Sequence, residues 1–122
     1  MSIRYLDKDF AITSQVVPEA LQGLRDAGLA TIICNRPDGE GSDQPAFATV
    51  AEQAAQCGMQ AHYLPVVPGK ITSADVEAFA ALFADAPKPV VAYCRTGLRA
   101  ETLWELSAGR WKGAAGGGTH AS

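Results

Sequence analysis

The stretch KPVVAYCRTGLRAETLWEL, Lys88 to Leu106, is compatible with few folds. Pro89 to Tyr93 is apolar almost throughout, the pattern of a strand covered on both faces, and such strands belong to parallel sheets flanked by helices. Cys94 stands where this strand gives way to a helical pattern, with Arg95 and Arg99 on either side of Thr96-Gly97-Leu98. The chain must therefore supply helices for two sheet faces and a short loop at the strand's carboxyl end.

The remaining sequence provides those elements by alternation. FAITSQV predicts a short strand around Phe10 to Ile12. PEALQGLRDAG predicts a helix, with Pro18 in its first turn, Leu21, Leu24 and Leu29 as its apolar stripe and Gly28 as its stop. TIICN, Thr31 to Asn35, reads as a second buried strand, and RPDGEGSDQP after it as a loop. An alanine-rich helix is expected from Ala46 to Cys57, then a strand in QAHYLPVVPG ending near Val66. In ITSADVEAFAALFADA the N-cap is Thr72 or Ser73, with Glu77 placed to strengthen it. A last helix runs from Arg99 to Ala108 on Leu103 and Leu106. The expected fold is α/β: one three-layer domain over residues 1–110 with a mainly parallel sheet of four to five strands, followed by a flexible tail, 111–122.

Composition removes several function classes. Ten Lys plus Arg against thirteen Asp plus Glu leave a net charge of −3, which disfavours a nucleic-acid partner because phosphate contacts need clustered cations. No apolar run approaches the ~20 residues needed to span a bilayer. The opening MSIRYLDKDF places acidic residues where a signal peptide has its apolar stretch, so a cytoplasmic protein is expected. Cys34, Cys57 and Cys94 form no CxxC pair and no Cys/His pair at metal-ligand spacing, so neither a disulfide framework nor a metal site is expected. Cys34 lies in a buried strand and reads as inert, whereas Cys57, at a helix end, is more exposed. His62, inside the third strand, reads as a packing or surface residue rather than a base.

Cys94 is different because of its surroundings. At the carboxyl end of a parallel strand, the N–H groups of residues 95 to 99 can curl around an anion, and a helix start adds positive potential. Arg95 and Arg99 add side-chain donors, Thr96 a hydroxyl, and Gly97 close backbone approach, with Leu98 completing the loop. The arrangement favours a thiolate nucleophile with no cofactor. Arg36, Asp38 and Glu40, in the loop after the second strand, share that sheet edge; they either order the cysteine loop or contact the substrate.

Two resemblances bear on these residues. CRTGLRA, Cys94 to Ala100, resembles the active-site loop of rhodanese-type sulfurtransferases, in which the cysteine carries a persulfide. VVPEALQGLRDAGLATIICNRPDGE and HYLPVVPGKITSADVEAFAALF are similar to the phosphatase-like domain family of β-lactamase-hydrolase-like proteins, which implies a dual-specificity-phosphatase-like fold over Ile12 to Leu106. Cysteine phosphatases place five residues between Cys and Arg, whereas four separate Cys94 from Arg99. They also carry a general acid in the loop after the YLPV strand, and VPGKIT has none before Asp75. These departures predict a sulfurtransferase that takes sulfane sulfur from thiosulfate or a persulfide and passes it to a thiol or cyanide-like acceptor. The alternatives are a cysteine phosphatase working through phosphocysteine at Cys94, or a module that binds an anion or senses oxidation without turnover.

Overall fold

The most apolar strand takes the most enclosed place. In the computed structural model, which describes residues 2–115 and side chains as far as Ala108, β5 (Val90–Tyr93) is wholly buried. Among the described residues four further strands complete one sheet: β1 (Arg4–Asp7), β2 (Phe10–Thr13), β3 (Thr31–Cys34) and β4 (Gln60–Tyr63). Their order is β1-β2-β5-β3-β4. β2, β5, β3 and β4 are parallel, and β1 pairs antiparallel on the outer edge of β2. The expected α/β class and mainly parallel sheet are thus present.

Alternation along the strands builds two cores. Phe10, Ile12, Ile33, Val90 and Ala92 face α3 (Ser73–Asp85) and α4 (Leu98–Ala115). Ala11, Ile32, Cys34, Val91 and Tyr93 face α1 (Leu21–Asp26), with its preceding 3₁₀ turn Pro18–Ala20, and α2 (Phe47–Gln56). An aromatic cluster anchors the first core: Phe10 stacks on Trp104 at 4.3 Å and meets Phe79 and Phe83 edge-on at 5.6 and 5.9 Å. Offset and edge-on ring pairs add to the free energy of burial itself.

Four details differ from expectation. β1 was not foreseen, because RYLD lacks the apolar density of a covered strand and its first residues are exposed. β4 ends at Tyr63 rather than near Val66, although the chain beyond stays tied: Leu64 N–H donates to the Cys34 carbonyl and Val66 N–H to that of Asn35. Thr72 is the N-cap of α3, but its reciprocal partner is Asp75, at the third helical position, and not Glu77. Helix α4 runs to Ala115, past the expected end at Ala108. The remainder of the expected tail, residues 116–122 with His120, lies outside the described residues, as does the Trp111 side chain. None of the described helices is long and apolar enough to cross a membrane.

Replacing Phe10 by Ala removes the ring common to these contacts, and the loss should be about 3–5 kcal/mol of unfolding free energy, read from urea denaturation.

Candidate active site

Every strand that runs toward the site ends in a loop bonded to another loop. Asn35 N–H donates to the Tyr93 carbonyl at 2.8 Å, and the Asn35 side-chain amide to the Leu64 carbonyl at 2.8 Å. Gln15 N–H, after β2, reaches the Arg95 carbonyl at 3.4 Å. The turn that follows β5 is therefore held from both neighbouring strands.

Within that turn Cys94 is 1% exposed, and its sulfur accepts the Gly97 N–H at 3.0 Å. This is the sequence-predicted donor at a single position. Leu98 N–H is engaged elsewhere, with the Thr96 hydroxyl at 3.3 Å, so Thr96 shapes the loop as an acceptor rather than donating to the sulfur through that contact. Gly97 has φ +96°, and a Cβ there would lie 3.4 Å from the Thr13 carbonyl oxygen; both the turn and the close passage of β2 call for glycine. Arg95 is exposed at the mouth, and Arg99 is buried.

Arg99 is fixed by a carboxylate from a different loop. Its Nη1 donates to Glu40 Oε2 at 2.9 Å and to the Val66 carbonyl at 3.0 Å, and its Nη2 donates to Glu40 Oε1 at 2.8 Å. Glu40 Oε1 also accepts from Arg36 Nε at 2.9 Å, and Arg36 Nη1 donates to Gln15 Oε1 at 2.9 Å. Arg36 lies so close to Gly41 that a Cβ there would stand 2.7 Å from its Nη2. The hydrogen bonds from Arg99, reinforced by Arg36, hold the Glu40 carboxyl below its ordinary value of 4.5 against the effect of burial. Burial works against the Arg99 charge, yet the Glu40 carboxylate and the Cys94 sulfur more than offset it and raise the arginine above its ordinary value.

Of the residues expected behind the loop, Arg36 is thus linked to it. Asp38 is occupied at the start of α2, where its Oδ1 accepts from Phe47 N–H at 2.8 Å while its own N–H donates to the Tyr63 hydroxyl. Cys34 is buried and donates to the Arg36 carbonyl, and burial pushes its thiol up from the ordinary value, as an inert packing residue requires. His62 bonds only its neighbour Gln60 among the described contacts. Above the Cys94 loop opens a cleft of about 470 Å³. Glu40, Arg95 and Arg99 supply its charged side, and Pro68, Ile71 and Leu98 an apolar one. The β4–α3 wall and the Gln15 contact were not legible from the sequence, since neither carries a motif and both arise from the topology.

This loop and sheet belong to the class of cysteine-phosphatase-like α/β domains. More narrowly, the chain belongs to the family described as beta-lactamase hydrolase-like protein, phosphatase-like domain, whose profile matches residues 2–110. The Beta-lactamase hydrolase-like protein of Agrobacterium fabrum is 36% identical over 101 residues, covering 83% of this chain and 23% of that protein. The chain thus spans about a quarter of the length of the curated relatives it matches. The crystal structure of a candidate phosphatase from Neisseria meningitidis superposes with TM-score 0.83 at 39% identity, covering 89% of this chain and 78% of that one. Pseudomonas aeruginosa TpbA, crystallised in complex with phosphotyrosine, shares the fold with TM-score 0.67 at 13% identity over 93% of this chain and 67% of its own. The likeness of CRTGLRA, Cys94 to Ala100, to a rhodanese loop is not shown by these relatives.

Two outcomes are expected of this geometry. Gly97→Ala forces a left-handed φ on a residue with a Cβ and should lower stability by about 1–2 kcal/mol in urea titration. The depressed Glu40 carboxyl favours the folded state in its ionised form, so its contribution is complete above the ordinary value of 4.5 and lost as pH falls through the lowered one. Glu40→Gln should therefore be less stable than the parent chain by about 1–3 kcal/mol at pH 7, the gap closing at acidic pH.

Proposed function

We propose that the chain is a cysteine-dependent phosphatase acting on aryl phosphate monoesters. The observation that carries this reading is the seating of the Cys94 sulfur under the Gly97 N–H, at the carboxyl edge of the sheet, with the Arg99 guanidinium fixed alongside. The family and its structurally characterised relative support the reaction class. They therefore favour phosphoryl transfer over the sulfur transfer suggested by the loop length, the lack of an acid in VPGKIT and the rhodanese-like CRTGLRA.

In the first step the Cys94 thiolate attacks phosphorus: an S–P bond forms, the ester P–O bond breaks, and the phenolate leaves with its electron pair. Water then attacks phosphorus, the S–P bond breaks, inorganic phosphate departs and the thiolate is restored, the proton from water passing to bulk solvent. Arg99 and the Gly97 N–H stabilise the charge on the transferring group and the sulfur.

The restriction to aryl esters follows from the acids within reach. The Asp75 carboxylate accepts from the Thr72 N–H in the α3 capping box. Glu40 is the one carboxylate lining the cleft among the described residues, and two arginines keep it ionised. With neither placed to protonate a leaving alkoxide, the substrate is an ester whose leaving group needs no proton. Phosphotyrosine, the ligand of TpbA, is an ester of that kind. Pro68, Ile71 and Leu98 provide an apolar surface for its ring.

A second reading keeps its own support. Four residues separate Cys94 from Arg99, and the Leu98 N–H is occupied by Thr96, which leaves a small cradle suited to a single terminal sulfur. In that case the thiolate attacks the outer sulfur of thiosulfate, an S–S bond forms as sulfite leaves, and cyanide or a thiolate removes the sulfur to restore Cys94.

Steady-state hydrolysis of an aryl phosphate and of an alkyl phosphate of similar size tests the first reading. The aryl ester should turn over, the alkyl ester should be at least ~100-fold slower in line with the value of acid catalysis, and Cys94→Ser should abolish both. Absence of aryl phosphate turnover, together with a one-sulfur mass gain on Cys94 after thiosulfate that cyanide removes, would replace it with the second.

A further inference from the structure

Among the described residues, the charged side chains lining the cleft are Glu40, Arg95 and Arg99, and they differ in what already holds them. Arg99 donates to Glu40 and to the Val66 carbonyl, and Glu40 also accepts from Arg36. Arg95 has no side-chain hydrogen bond or ion pair among the described residues, whereas Arg4 pairs with Glu101, Arg25 donates to the Leu29 carbonyl and Arg36 pairs with Glu40. Its backbone is nonetheless held, because the Gln15 N–H donates to the Arg95 carbonyl. The side chain thus springs from a set point. On a chain of net charge −3, it meets no described carboxylate within ion-pair reach.

The two arginines also differ in depth. Cys94 and Arg99 are 1% and 8% exposed, while Arg95, next in sequence to the cysteine, is turned to the mouth. An oxyanion reacting at the sulfur lies at the floor, beside the Gly97 N–H and Arg99. The guanidinium at the mouth is placed for a different group. Pro68, Ile71 and Leu98 add an apolar wall to the same cleft. The cleft therefore offers an anion site at its floor, a surface for a ring, and a second, unpaired cation at its mouth.

We infer that Arg95 is a specificity-determining residue that selects aryl phosphates bearing a second oxyanion, a carboxylate on the ring, which its guanidinium binds at the mouth while the phosphoryl group sits at Cys94. The inference rests on the reading of this cleft as the site of aryl phosphate hydrolysis and adds the substrate class. A guanidinium fork matches a carboxylate edge to edge, and the pair strengthens where a ring excludes water from one side of it. The Thr96 hydroxyl lines the same cleft; it accepts from the Leu98 N–H, and its own hydrogen has no described acceptor, so it can be given to the same oxyanion. The cleft volume of about 470 Å³ lies in the range of small-ligand sites.

An ordinary surface cation favours every anion through its field, whereas a residue paired with the second group favours only ligands that carry that group. The diagnostic quantity is therefore a ratio. Binding is measured first, by calorimetry on the full chain at ~0.15 M salt, where fields are screened over about 8 Å. The probes are phenylphosphonate and its meta- and para-carboxy derivatives, whose P–C bond makes the measurement independent of any hydrolysis. At least one carboxy derivative should bind about fivefold tighter than phenylphosphonate, the upper end of what an exposed ion pair supplies. In Arg95→Gln that advantage should fall below about twofold, since the partner of the second anion is gone. In Lys70→Gln, which removes an equal charge between the lining residues Gly69 and Ile71, it should persist. An advantage below about twofold for both derivatives in the parent chain, or no binding of any probe, overturns the inference. An equal loss in Lys70→Gln overturns it too, by making the effect one of general charge.

Turnover is measured second. The carboxyphenyl phosphate that matches the tighter probe should exceed phenyl phosphate in kcat/KM by the same factor, chiefly through KM, and Arg95→Gln should remove the difference. Hydrolysis of both esters with equal kcat/KM overturns the inference and leaves the phosphatase reading standing. A binding preference that depends on Arg95, with hydrolysis of neither ester, removes the phosphatase reading and leaves the second anion site in place.

Discussion

Strand β5 is hydrogen-bonded on both edges and covered on both faces, and the site depends on that enclosure. Parallel neighbours β2 and β3 fix its direction and register, so that Thr13, Cys34 and Tyr93 end level with one another. Once those ends are aligned, Asn35 can hold the Tyr93 carbonyl and Gln15 the Arg95 carbonyl. The cysteine loop is thus a turn between two pinned ends, and its buried sulfur takes up a defined position under the Gly97 N–H.

Polar order at this edge is built from charge shared across loops. Glu40 lies in the connection after β3, Arg36 at its start, and Arg99 in the first turn of α4, so no single segment contains the network. Each arginine is about nine-tenths buried, while the carboxylate between them keeps some contact with solvent. A buried cation is costly to leave unpaired, and here each has the same anion as partner. Substituting any one member therefore changes the environment of the other two.

Much of this was legible in the sequence, for physical reasons that differ from element to element. TIIC and VVAY announce enclosed parallel strands because a strand covered on both faces has no polar positions to spare. The Cys94 turn stood out because thiol, glycine and paired arginines fall within six consecutive residues, and the structure places the Gly97 N–H on the Cys94 sulfur and pairs the buried Arg99 with Glu40. Arg36 stood out by its place at the same sheet edge, but Asp38 in the same loop proves to be a helix-start residue, and no pattern separates those roles. β1 and the Asp75 cap partner were misjudged where short-range preference is weak and tertiary contact decides. The expectation of sulfur transfer, drawn from the four residues between Cys94 and Arg99 and from the missing acid after β4, gains no support from the family, because a count of residues does not say which N–H groups remain free.

The cleft is assembled from two independent parts of the chain. Arg95, Thr96 and Leu98 stand on the β5–α4 turn with Arg99 just after it, whereas Pro68 and Ile71 stand on the β4–α3 connection, which bonds to the loop edge through the backbone of Val66. Lengthening or shortening the connection beyond Val66 would alter which organic group fits without moving the sulfur or its arginine. The scaffold can therefore keep the geometry around Cys94 while the apolar wall of the cleft changes, the two being open to separate mutations.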